Sequence, residues 1–205
     1  MKYIFVVGAP GSKWSSVIKN IYFSPDIDRT DYHEDRLYTH SADGKEKLMH
    51  IGSYFDPGME FGDFFDRIEQ YSKLACEIEF NRAFAGTGIR IIRSHVLANH
   101  IDFLKEHWPE CPVVCVDRGD DACLGWWVRC GEFNIKYPNY QYYKNLAEMA
   151  VHIDRQNAGI RSALLKYANQ AAFNNIDLCN ILNIAHPPTE YQQNYPDVDI
   201  KVNVL

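Results

Sequence analysis

Residues 3–22, YIFVVGAPGSKWSSVIKNIY, constrain the fold more than any other stretch, because a buried strand runs through a glycine turn straight into a helix. Tyr3 to Val7 is an unbroken apolar, β-rich run of the kind made by a strand covered on both faces. It ends at Gly8. The segment from Gly8 through Ala9, Pro10, Gly11, Ser12, Lys13, Trp14 and Ser15 to Ser16 offers two glycines, one cation and three hydroxyls, and Val17, Ile18 and Ile21 then recur at helical spacing. A glycine turn leading into a helix start presents backbone N–H groups and the positive end of a helix dipole to an anion. The spacing differs from Gly-x-x-x-x-Gly-Lys-Ser/Thr, since Lys13 follows Gly8 by five positions rather than six and is followed by Trp14. An ordinary Gly-Pro turn would use the same residues, so the loop has a phosphate-binding and a purely structural reading.

Two further strand-to-polar-cluster junctions follow. Ile89 to Ile92 reads as a buried strand ending at Arg93, Ser94 and His95, with a helix expected over 96–108. Pro112 to Val116 reads as a third strand ending at Asp117, Arg118, Gly119, Asp120 and Asp121, with a helix from Ala122 to Cys130 capped by Asp120 or Asp121. Strands alternating with helices at these lengths predict one α/β domain over 1–205, a central, mainly parallel sheet flanked by helices in three layers. Such sheets bind ligands beyond the carboxyl ends of their strands, where all three polar clusters stand.

The other segments are supporting elements. Residues 24–58 read as a lid or irregular insertion, with a short strand near Leu48–Ile51 and a turn at Asp56-Pro57-Gly58. Asp26, Asp28, Asp31, Glu34, Asp35, His33 and His40 match no calcium-loop or zinc-helix spacing, so no metal site is assigned. Phe61, Phe64, Phe65, Ile68, Tyr71, Leu74 and Ile78 predict one face of a helix over 59–80. Residues 134–141 suit an acceptor-side loop, 146–170 a helix, 178–182 a helix turn or a strand, and 186–205 an irregular tail.

Composition narrows the class. A net charge of −6 opposes a general nucleic-acid surface, because such binding is driven by phosphate neutralisation. No apolar run reaches the length of a membrane span, and no basic segment with a long apolar region opens the chain, which together predict a cytoplasmic protein. The six cysteines include no CxxC pair and are expected as reduced core thiols.

The Gly-Ala-Pro-x-Ser loop, Arg93-Ser94-His95 and Asp117-Arg118-Gly119-Asp120-Asp121 before an aromatic helix together resemble the PAPS-dependent sulfotransferase family, over about residues 3–130. That family has a P-loop α/β fold, and its donor loop usually reads Pro-Lys-Ser-Gly-Thr-Thr. Ser12 matches the serine, while Lys13 stands two positions later than the family's lysine. Gly125 stands where the family has a serine, and its late basic loop has no counterpart here. The resemblance implies that Gly8, Pro10, Gly11, Ser12, Lys13, Trp14, Ser15 and Ser16 hold the 5′-phosphosulfate of PAPS and that Arg118 and Asp121 serve its 3′-phosphate. It also implies His95 as base, with Arg93 and Lys13 stabilising charge, and it calls for no metal. The acceptor would be a hydroxyl or amine of a small molecule or glycan.

The chemistry agrees with that assignment of residue types. Moving a sulfuryl group from a phosphosulfate needs a base for the incoming atom and cations where charge grows on the leaving phosphate. Histidine suits the first task and arginine or lysine the second. Two other readings share the same loop: a magnesium-dependent nucleotide or nucleoside kinase with Asp117 on the metal, and a sulfotransferase-like binding module without catalysis.

Overall fold

The fold is described from a computed structural model covering residues 1–32, 37–39, 47–49, 53–56, 61, 62, 64–129, 145–192, 195 and 198–205. In chain order its elements are β1 (Tyr3–Gly8), α1 (Trp14–Tyr22), β2 (Leu37–Thr39), β3 (Lys47–Met49), β4 (Ser53–Tyr54), α2 (Lys73–Arg82) and β5 (Arg90–Arg93). They continue with α3 (Ile101–His107), β6 (Val113–Asp117), α4 (Asp120–Arg129), α5 (Leu146–Lys166), β7 (Gln170–Ala172), α6 (Asn175–Leu182) and β8 (Lys201–Val204). Six strands form one mixed sheet in the order β4-β5-β1-β6-β8-β7, and β2 with β3 forms a separate antiparallel pair.

β1 is the hub of the sheet. All six of its residues are buried, and it pairs in parallel with β5 on one side and β6 on the other. β4 extends the parallel part beyond β5, while β8 runs antiparallel to both β6 and β7. Because strand side chains alternate, β1 feeds two cores. Ile4 and Val6 pack with Val17, Ile18 and Ile21 of α1 and with Leu178 and Leu182 of α6. Tyr3, Phe5 and Val7 face the other layer, with Phe80 of α2, Leu104 of α3 and Ile160 of α5. The sheet therefore lies between two helical layers, as the alternation predicts.

The aromatic segment departs from its expected form. Residues 65–70 are a 3₁₀ helix with a non-helical Arg67, the chain extends at Tyr71, and α2 starts only at Lys73, capped by Ser72. Leu74 and Ile78 consequently point outward, 69% and 64% exposed, instead of continuing the apolar face. Phe80 is the anchor. Its ring meets Tyr3, Phe5 and Phe65 edge-on at 5.5 Å and tilts against Trp108 at 5.3 Å. Pairs of this kind contribute about 0.5–1.5 kcal/mol each beyond their buried area, which outweighs the regular helical spacing of the flanking residues.

Three other boundaries are corrected, and one segment open between helix and strand is resolved. Residues 96–108 form a 3₁₀ turn, Val96–Asn99, and then α3, broken at His100 by a non-helical backbone. α5 ends at Lys166 rather than Gln170, since Tyr167 is extended and Gln170 opens β7. Residues 178–182 belong to a helix, α6, which Asn174 caps through the Asp177 N–H. Within the expected irregular tail, Val202 and Val204 alternate into the core as β8. The acidic stretch is likewise structural where described: Asp31 accepts from the hydroxyls of Tyr22 and Ser53, and Asp26 accepts from the Ala185 N–H. His33, Glu34, Asp35, His40, other parts of the expected lid and the expected acceptor-side loop lie outside the described residues.

Candidate functional site

The loop between β1 and α1 is held by its two glycines. Gly11 has φ +81°, and a Cβ there would run into the backbone carbonyl of Cys123 in α4. Gly8 is overlain by its own loop, since a Cβ would lie 2.7 Å from Ser12 Oγ and 3.1 Å from Trp14 Cβ. The turn closes through Ser12 N–H donating to Ala9 C=O at 3.0 Å, and Lys13 takes the left-handed conformation, φ 60°, as the residue before the helix. α1 then opens with no side-chain cap, so the helix start keeps its positive end toward the loop.

Ser12 is the unusual residue. It is fully buried, its hydroxyl lies over Gly8 inside the loop, and that hydroxyl has no hydrogen-bond partner among the described residues. A buried hydroxyl left unmatched costs about 1–3 kcal/mol. In the opposite direction, Pro10 and Ala9 are buried, and Ala9 packs with Cys123 and Trp127 of α4 and Met149 and Ile153 of α5. The loop thus has a packed back and a polar inside.

Three cations stand around it. Arg93, fully buried at the end of β5, donates to Ser15 Oγ at 3.1 Å and lies 5.7 Å from the Trp14 ring and 5.0 Å from the Tyr54 ring. Lys13 Nζ sits 4.1 Å over the ring of Trp126 on α4. Arg118, beyond the end of β6, donates from Nη1 to Gly11 C=O at 3.1 Å and from Nε to Asp199 at 3.0 Å. Asp121 is exposed in the first turn of α4 and makes no hydrogen bond or ion pair among the described residues. Asp120 opens α4 itself, as a helical residue and not a preceding cap, and binds Asn157 and Arg161 of α5.

His95 lies directly under the loop. Its Nδ1 contacts the Gly8 carbonyl, which only accepts, so Nδ1 carries the proton and the neutral ring has its lone pair on Nε2. Nε2 makes no hydrogen bond among the described residues, and Asp56 Oδ2 stands 4.0 Å away. Trp14 stacks on the ring at 4.1 Å, leaving His95 6% exposed. Asp56, fully buried just after β4, accepts from Ser94 Oγ–H and, at 3.4 Å, from Val96 N–H.

Burial pushes the imidazole of His95 below its usual 6.5, opposed by the Asp56 carboxylate and the Gly8 carbonyl, with Arg93 lowering it further. Burial also lowers His152. For both, the unfolded chain binds more protons than the native one, so stability rises with pH through the imidazole range and is lost as pH falls below about 6.5. Urea midpoints are expected to drop between about pH 7.5 and pH 5.5, and the drop should shrink in His95→Gln. An unchanged drop in that variant would assign the acid sensitivity elsewhere.

Of the residues expected from sequence, Gly8, Pro10 to Ser16, Arg93, His95 and Arg118 meet at one loop, while Asp121 is exposed in the first turn of α4. Asp56 and Asp199 were not legible as site residues. The first looks like the opening of an Asp-Pro-Gly turn, and the second sits in a stretch without periodicity 81 positions from its partner Arg118. The described cysteines are buried free thiols, and burial pushes Cys115 and Cys123 up to about 12, which leaves them unreactive. Among the described residues, no helix is long and apolar enough to cross a membrane. Comparison of the chain with protein-family models, with curated proteins and with solved structures returned no match.

Proposed function

We propose that this chain is a sulfotransferase-like enzyme of P-loop type, with the β1–α1 loop holding the 5′-phosphosulfate of PAPS and His95 taking a proton from a hydroxyl or amine acceptor. The observation that carries this reading is the Ser12 hydroxyl, buried without a partner among the described residues inside a loop at a helix start. An anionic oxygen placed there would accept from it and from the helix-start amides. Arg93, which reaches Ser15 of the loop, and Lys13 would stabilise the charge that grows on the leaving phosphate, and we assign Arg118 to the 3′-phosphate side. A small-molecule or glycan acceptor would meet the site beyond the carboxyl ends of β1 and β5.

A kinase reading is less supported. Asp117, the candidate magnesium ligand, lies 3.2 Å from the Arg161 guanidinium, and the ring of Trp14 stacks on His95 next to the loop lysine. A binding module without transfer is favoured by one observation, the cover of Trp14 over His95.

Calorimetric titration with adenosine 3′,5′-bisphosphate, run beside ADP plus magnesium, separates the three. The proposal expects metal-independent binding of the bisphosphate, weakened about tenfold or more in Ser12→Ala by loss of a hydrogen bond to a charged group. The same variant, freed of an unmatched hydroxyl, should be no less stable than the parent without ligand. Equal affinity in parent and variant would remove the loop as the donor site. Magnesium-dependent preference for ADP would move the assignment to the kinase class, and silence with both ligands from a folded protein would move it to the module.

A further inference from the structure

We propose that Asp56 is a positioning residue for proton transfer: it keeps His95 oriented with Nδ1 on the loop carbonyl of Gly8 and acts as counter-ion to the imidazolium formed at Nε2. This rests on the transfer reading above and adds a residue that no motif in the chain points to.

The geometry has three parts. The Asp56 carboxylate is fixed from behind by the Ser94 hydroxyl and the Val96 amide, both on the chain flanking His95, so carboxylate and imidazole belong to one rigid unit. The ring is then clamped between that unit and β1, with its only described hydrogen bond running to Gly8. Finally, a carboxylate at 4.0 Å that makes no hydrogen bond to Nε2 stabilises a proton arriving there without occupying the lone pair beforehand. The other charged groups around the ring do not share this role. Arg93 on β5 opposes the imidazolium, Lys13 on the loop is turned onto Trp126, and α5, packed against 96–99, brings Gly159 to that contact. Tyr54 of β4 meets the ring edge-on at 5.7 Å.

The acceptor's O–H or N–H bond breaks and its proton goes to His95 Nε2. The acceptor's freed electron pair forms the bond to the sulfur of the phosphosulfate donor, and the bond from sulfur to the bridging phosphate oxygen breaks with its pair left on the phosphate. The product imidazolium then faces Asp56 until solvent takes the proton.

The test is imidazole ¹H–¹⁵N spectroscopy of the full chain across pH, with the parent protein titrated with adenosine 3′,5′-bisphosphate in parallel. In the parent the neutral His95 ring is expected protonated at Nδ1. Asp56→Asn, which keeps an oxygen for Ser94 and Val96, should lower the His95 titration midpoint by about one to three pH units. The acid limb of the pH profile for bisphosphate release from PAPS should move down with it. A ring protonated at Nε2 in the parent overturns the proposal without any variant, and so does an Asp56→Asn midpoint that stays in place. A lowered midpoint in a protein that binds no bisphosphate supports the Asp56–His95 pair and instead overturns the donor reading.

Discussion

Gly11→Ala is expected to lose about 3 kcal/mol or more of folding stability, and to bind no adenosine 3′,5′-bisphosphate where it still folds. Two effects add at this position. A left-handed backbone costs an L-residue about 1–2 kcal/mol, and the new methyl meets the Cys123 carbonyl, a backbone group that cannot rotate away. Relief requires α4 to move off the loop, which separates Ala9 from the cluster formed with Cys123, Trp127 and Met149. Gly125→Ala is the matching control. It lies on the same helix, its Cβ would meet nothing within 4 Å, and alanine in a helix interior should stabilise by about 0.5–1 kcal/mol. Urea unfolding of the two variants checks the pair, and equal shifts would show that the close packing of loop on helix is not what holds the site.

His95→Gln is expected to lower donor turnover by about 10²- to 10⁴-fold, the usual contribution of a positioned acid–base group. Glutamine can still donate a hydrogen bond to the Gly8 carbonyl, so bisphosphate affinity should change far less than turnover. Release of adenosine 3′,5′-bisphosphate from PAPS, with phenols, sugars and amines offered as acceptors, measures the effect. Full turnover in the variant would end the assignment of His95 as base and leave it as a support of the loop.

The parts of the fold that were readable from sequence are those in which local pattern and burial coincide. β1, β5 and β6 are apolar on both faces because the sheet is covered twice, and their polar ends had to emerge at one edge. The aromatic segment was misread because spacing records which residues are apolar, not which ring anchors the cluster. Phe80 fixes the packing, and the chain before it breaks at Arg67 and Tyr71 to reach it. The site was legible where its residues are consecutive. Residues 8 to 16 and 93 to 95 announce themselves, whereas Asp56 and Asp199 come to the site from separate strands, and pairings of that kind are set by the sheet order rather than by anything local.

The antiparallel β8 has a consequence for the order of events in folding. Asp199 precedes that strand and grips Arg118, which in turn holds the Gly11 carbonyl. β1, β5 and β6 can pair before residues 198–205 exist as polypeptide, but an assembly of those strands alone lacks the contact of Asp199 with Arg118. The Asp199–Arg118 contact should therefore form in a late kinetic phase, after the bulk of the core, and a nascent chain on the ribosome should acquire most of the sheet before it completes the candidate site.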